Sequence, residues 1–262
     1  MRVPSDVRGN GCPGFWRAAS AAATLLLAPP AAGQAPPRYA AAQFAPAAYR
    51  VRVQTSVTTE LQGRRRVEFV DRLGRLVVQG DTAAAGVAIT AWWDSLRLSR
   101  SADGTTLAPS AEGMLGGRYG GVLGAAGGFT RTAAPWIPDE VAEVSDLSTA
   151  LDDLFPPLPP RALRRGERAT DAAGRTFVRL ADSAGAARYR ITATRDGDYP
   201  ADSGRAFAVR ERESTDGVLV WDAHGLVAWR ARVEAESRVT EGPQRSFRSQ
   251  AVQQVELARG VE

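Results

Sequence analysis

The stretch "VAWRARVEAESRV", residues 227–239, keeps one phase over its whole length. Val227, Trp229, Ala231, Val233, Ala235 and Val239 fall on one side, and Arg230, Arg232, Glu234, Glu236 and Arg238 on the other. Successive side chains leave a pleated strand on opposite faces, so a period of two marks a β-strand with one buried and one wet face. The same alternation recurs at Tyr49, Val51, Val53, Val57 and Leu61, and at Val67 and Phe69. It returns at Val87, Ile89, Ala91 and Trp93, at Tyr189, Ile191 and Ala193, and from Phe247 to Leu257.

Between these runs stand Asp71-Arg72-Leu73-Gly74, Asp171-Ala172-Ala173-Gly174, Asp182-Ser183-Ala184-Gly185 and Asp222-Ala223-His224-Gly225. An aspartate at the first turn position accepts a local backbone N–H, and a glycine at the fourth tolerates positive φ. Each of the four is expected to be a hairpin turn. Hairpins in succession predict a mainly β fold, an antiparallel β-meander curved into a half-barrel. One stretch departs from period two. "PDEVAEVSDLSTALDDLF", 138–155, spaces Val141, Val144, Leu147, Leu151 and Leu154 as a helix would, and predicts a helical insert packed on one face of the sheet.

The expected organisation is a signal peptide over 1–33, a flexible lead-in over 34–47 and a single β domain over 48–262. Arg8 and Arg17 precede "AASAAATLLLA", an apolar run too short to span a membrane, and Ala31-Ala32-Gly33 offers small residues for cleavage. Cys12, the one cysteine, lies before that run and cannot follow a lipoprotein cleavage site. The expected location is therefore the periplasm or the exterior, without a transmembrane span once the signal is removed. The basic residues number 33, all arginine, yet the net charge is only +4. The first 33 residues hold three arginines and one aspartate, which leaves +2 for the rest, too little and too scattered for nucleic acid.

The glycine-rich "GMLGGRYGGVLGAAGGF", 113–129, is the most motif-like segment. A Walker loop needs a lysine this chain lacks, and no helical pattern follows as a dinucleotide fingerprint requires. It reads as a hairpin with strands near 114–123 and 129–132, its glycines marking bends or close approach of another element.

The order of features resembles that of a group of secreted bacterial β-rich domains. The features are Leu115-Gly116, Phe155-Pro156-Pro157-Leu158-Pro159, Gly166-Glu167 and the closing turn at Asp222. The architecture is similar to the open half-barrels of periplasmic lipoprotein carriers of the LolA kind, which hold acyl chains between a curved sheet and helices. That resemblance implies a binding or scaffold domain and carries over no catalytic residue.

Candidate chemistry is sparse. His224, the single histidine, sits in a turn without a positioned triad, and a multi-histidine metal site is excluded. Asp139, Glu140, Glu143 and Asp146 lack calcium-loop spacing and read as a wet helix face. Asp81 and Asp202 are the pair an aspartic hydrolase would use. No catalytic residue, metal or cofactor is assigned. The leading expectation is a non-enzymatic binding domain with a lipid or other apolar ligand in the concave face, against Trp93, Trp229, Tyr49 and Phe69. The alternatives are an envelope domain with a filled core that meets a protein partner, and the aspartic-type hydrolase.

Overall fold

The computed structural model describes residues 35–152, 154–200, 207–241 and 245–260. Twelve strands form one antiparallel sheet that curves like a half-barrel and does not close. They are β1 (Ala47–Leu61), β2 (Arg64–Ala83), β3 (Gly86–Ala102), β4 (Thr105–Leu107), β5 (Tyr119–Leu123) and β6 (Phe129–Ala133), then β7 (Arg168–Thr170), β8 (Thr176–Arg179), β9 (Ala187–Tyr199), β10 (Ala208–Asp222), β11 (Gly225–Glu241) and β12 (Arg245–Arg259). The order across the sheet is β6-β5-β3-β2-β1-β12-β11-β10-β9-β8-β7, with β4 beside β3. Two meanders thus meet along one seam, where β1 pairs with β12 from Tyr49↔Arg259 to Leu61↔Phe247. The flanking strands β6 and β7 are short, and among the described residues 193–199 of β9 pair only with β10.

The phase read from sequence holds where it matters most. Tyr49 and Val51 lie on one side of β1 and are both buried, as are Val87, Ile89, Ala91 and Trp93 on β3. Two bulges shift it locally. One falls in β3 at Asp94, where Leu76 pairs with Trp93 but Arg75 with Ser95; it brings Leu96 and Leu98 to the inner face. The other follows the β10–β11 turn, where Trp221 pairs with Leu226 but Val220 with Ala228. Leu226 rather than Val227 therefore enters the core beside Trp229.

Three of the four Asp-to-Gly turns form. Asp171 and Asp222 accept backbone N–H groups two residues on, at 2.9 and 2.7 Å, and Gly174, Gly185 and Gly225 have positive φ. The stretch from Asp71 to Gly74 is the exception and lies inside the long strand β2. Gly74 serves there to make room: a Cβ would sit 2.9 Å from the Trp93 ring and closer still to the Ser95 carbonyl oxygen. The β1–β2 reversal falls instead at Gln62-Gly63, both with positive φ.

The insert also differs from expectation. Among the described residues only Asp139–Ala142 is α-helical, and those of 143–155 run through turns and irregular backbone. The Asp146 carboxylate takes the Ser148 N–H at 2.8 Å, and Arg131 donates to the Ser148 carbonyl, so the backbone groups a second helix would use are engaged elsewhere. The apolar residues keep their role without the helix, for Val141, Val144, Leu147, Leu151 and Leu154 are all buried.

Nor are the described residues of the expected lead-in, 35–47, loose. Tyr39 and Phe44 are buried around a 3-10 turn at Ala41–Phe44, and the Tyr39 hydroxyl donates to the Pro156 carbonyl at 3.0 Å. Tyr39 stands edge-on to Phe155 and Trp221, with ring centroids 6.1 and 5.2 Å apart. Aromatic bodies of this size gain enough from burial to order an otherwise alanine- and proline-rich segment.

The glycine stretch forms β5 and β6, and β5 begins at Tyr119 rather than near 114. Its turn presents two carbonyls to the covering segments: Ala125 accepts from the Tyr39 N–H at 3.0 Å and Ala126 from the Leu158 N–H at 2.8 Å. A Cβ on Gly127 would lie 2.8 Å from Pro157 Cα. Close approach of another element is thus the reason for glycine here.

Gly217 on β10 stands to Trp229 as Gly74 stands to Trp93, since a Cβ there would overlap the Trp229 ring. Gly217→Ala is expected to cost about 1–3 kcal/mol by overpacking, read as a lower urea midpoint at constant slope. An unchanged midpoint would show that Trp229 has room to move.

Candidate functional site

Three of the four residues singled out in the sequence come together on the inner face. Tyr49, Trp93 and Trp229 are 1%, 0% and 4% exposed. The space over them is taken by Tyr39, Phe44, Met114, Leu147, Leu151 and Phe155. Phe69 is on the convex face and is 56% exposed. Asp81 is exposed on β2, and Asp202 lies outside the described residues. Arg179 is buried but committed to structure, donating to the carbonyls of Leu180 and Arg188, pairing with Asp182 and facing the Tyr189 ring. Among the described residues no three His, Cys, Asp or Glu side chains gather as a metal set, and no helix is long and apolar enough to cross a membrane.

The covering segments stop part-way along the sheet. On β1 the inner-facing residues run from buried Tyr49, Val51 and Val53 to half-buried Thr55, Val57 and Thr59, and then to Leu61 at 52% exposure. Two rows with apolar stretches cross this uncovered half, separated by Thr59, Ser249, Ser237 and Glu211. Val57 pairs with Ala251 and Ala251 with Ala235; Leu61, Phe247, Val239, Val209 and Tyr199 make the second row. Over β9 to β12 the surface sinks into a trough of about 330 Å³ that includes Gly197, Tyr199, Ala235 and Ala251, with Arg195 and Glu213 at its side.

Where cover ends and open face begins there is a smaller cleft of about 120 Å³. Val53, Val70, Leu154 and Val255 supply its apolar wall, and Arg72, Asp146, Thr149 and Gln253 its polar one. The Arg72 guanidinium carbon lies 6.0 Å from the centre of the Trp93 ring. Behind it, burial pushes the Tyr119 hydroxyl up in pKa, opposed by its neighbours Trp93 and Arg72. Chemically the arrangement is a polar pocket at the head of a trough of mixed lining, with no nucleophile paired to a base.

Sequence reading missed Arg72 because it sat in a segment taken for a turn. It missed Gln253 because a lone glutamine at a wet-looking position carries no signal. Neither protein-family models nor curated proteins match this chain, so the site stands on its own geometry.

The Asp146 carboxyl is held below the ordinary range by hydrogen bonds from Ser148, first its side chain and then its backbone N–H, with burial opposing and the charge of Arg131 helping. A carboxylate whose folded pKa is lowered stabilises the fold above its unfolded pKa of about 3.9, and that contribution is lost as pH falls through the lower folded value. The 143–155 segment is therefore expected to loosen at acid pH before the sheet does. Asp146→Ala should do the same at neutral pH, seen as faster hydrogen exchange at 147–151 with β1 and β12 unchanged. Equal exchange in variant and parent would remove Asp146 from this role.

Proposed function

We propose that this chain is an exported, non-enzymatic binding domain that holds an amphiphile on the uncovered half of its inner face. The apolar part would lie along the Val57–Ala251–Ala235 row and the polar head in the cleft at Arg72, Asp146 and Gln253. One observation carries this reading: the inner face continues past its cover, and Val57, Ala251 and Ala235 form there an apolar strip in register, bounded by Glu68 and Glu213. Export is supported by the composition of residues 1–33. The ligand position differs from that expected under Trp93 and Trp229, because side chains of the chain itself fill that space.

The second reading is an envelope interaction domain with a filled core. The complete burial of Trp93 and Tyr49 favours it, for a carrier would keep that volume open.

Native mass spectrometry of the protein purified from its own envelope separates the two. The amphiphile reading expects acyl-bearing adducts, which Ala235→Glu abolishes by placing charge in the trough. Arg72→Leu should weaken binding of a fluorescent fatty acid about tenfold or more, since a hydrogen bond to a charged group contributes about 1.5–3 kcal/mol. A protein free of adducts, with fatty-acid affinity equal in parent and Ala235→Glu, would overturn this reading and leave the filled-core domain.

A further inference from the structure

On β9 to β12 the convex face is largely ion-paired, even where Arg238 stands in register between Arg210 and Arg248. Arg190 pairs with Asp216 at 2.7 Å, Arg232 with Glu234 at 2.6 Å, Arg248 with Glu236 at 2.9 Å and Arg230 with Glu256 at 3.9 Å. The same face over β1 to β3 is not. Arg50 stands directly opposite Arg75 across the β1–β2 ladder, a like-charge pairing that works against the sheet. One step along, Leu73 lies between Arg52 and Arg97 as their common register partner. Arg75 has Asp94 at 2.7 Å, and Arg52 has Asp71 only at 3.8 Å. Among the described residues neither Arg50 nor Arg97 has a carboxylate within salt-bridge distance. At the other end Arg118 stacks on Trp92, its guanidinium carbon 3.7 Å from the ring centre. Around Leu73, Arg50, Arg52, Arg75 and Arg97 on these three strands thus meet Asp71 and Asp94, with Arg118 just before β5 adding a fifth cation, while Glu60 and Asp81 lie at the far ends of the same face.

Apolar groups project among these cations. Leu73 is 39% and Phe69 56% exposed, both pointing outward from β2, and Val77 is half-buried opposite Trp92. A depression of about 320 Å³ at Phe69 has Gln54, Ser56, Asp71, Ser99 and Ser101 in its lining and none of these arginines. An exposed leucine between arginines, with an exposed phenylalanine further along the same strand, suits a partner that is anionic at its surface and apolar just beneath. We propose that the convex face of β1–β3 docks on a lipid surface bearing anionic headgroups, with Arg50 and Arg97 as the headgroup contacts and Leu73 reaching past them. The uncompensated Arg50–Arg75 opposition is then an arrangement whose counter-charge comes from the membrane. This rests on a different face and different residues from the amphiphile reading.

Co-sedimentation with vesicles tests it, using equal parts phosphatidylglycerol and phosphatidylcholine against phosphatidylcholine alone. Binding is expected only to the anionic vesicles, and to weaken as salt is raised. Arg50→Gln with Arg97→Gln should reduce it about tenfold or more, each arginine near such a surface contributing about 1 kcal/mol. Arg164→Gln with Arg165→Gln removes the same charge from an exposed loop and should leave binding unchanged. Leu73→Asn should weaken it too. Because Arg50→Gln relieves a like-charge pair, its Tm should not fall, so loss of binding will not reflect loss of fold. Equal binding to both vesicles, equal loss in the two double variants, or displacement by inorganic phosphate at constant ionic strength would overturn the proposal.

Discussion

The antiparallel seam between β1 and β12 is the constraint on which the rest depends. Each meander alone would present a long unpaired central strand, and the core residues on its inner face would lack half their neighbours. Joined, β1 and β12 place Val51 beside Leu257 and Val53 beside Val255, and the inner face becomes continuous from Trp93 to Trp229. The segment 134–162 and the strap around Tyr39 then have a surface to cover. The contacts are between residues far apart in sequence, so ordering the seam requires closing a very long loop before the pairing repays it.

Given the seam, the inner face divides by how deeply glycine lets aromatic rings sit. Gly74 and Gly217 receive Trp93 and Trp229 flush against the sheet, which leaves depth for the insert to pack above them. Beyond Val53 and Val255 the insert turns away, and the same strands continue with threonine, alanine, valine and glutamine. These are residues that tolerate either water or a guest. The cleft at Arg72 marks the change of regime, and the convex face has its own division between ion-paired β10–β12 and cationic β1–β3.

Much of the fold was legible because period two is a direct consequence of the pleat. Tyr49, Val51, Val87, Ile89 and Trp93 could hardly lie otherwise. What escaped reading was whatever depends on a partner distant in sequence. The run from Asp71 to Gly74 carries the letters of a turn, and only the proximity of Trp93 explains its glycine inside a strand. The helical spacing of 138–155 correctly picked the buried residues but not the backbone, because Asp146 and Arg131 divert its polar groups. Tyr39 and Phe44 were hidden in a biased segment whose order comes from Phe155 and Trp221. Of the site, Tyr49, Trp93 and Trp229 were found as inner-face residues. The cleft was not, since Arg72, Asp146 and Gln253 meet only in three dimensions.

The flanks of the sheet carry a consequence for behaviour at high concentration. An open sheet ends in strands whose outer N–H and C=O groups invite another chain to add on. Here the outermost strands are only five and three residues long, and the freer stretch of β9 alternates Arg195, Asp196 and Asp198 with small or aromatic neighbours. Charges of both signs along that rim make each added strand bury ions at the join. Runaway end-to-end growth of sheets is thereby disfavoured at both borders.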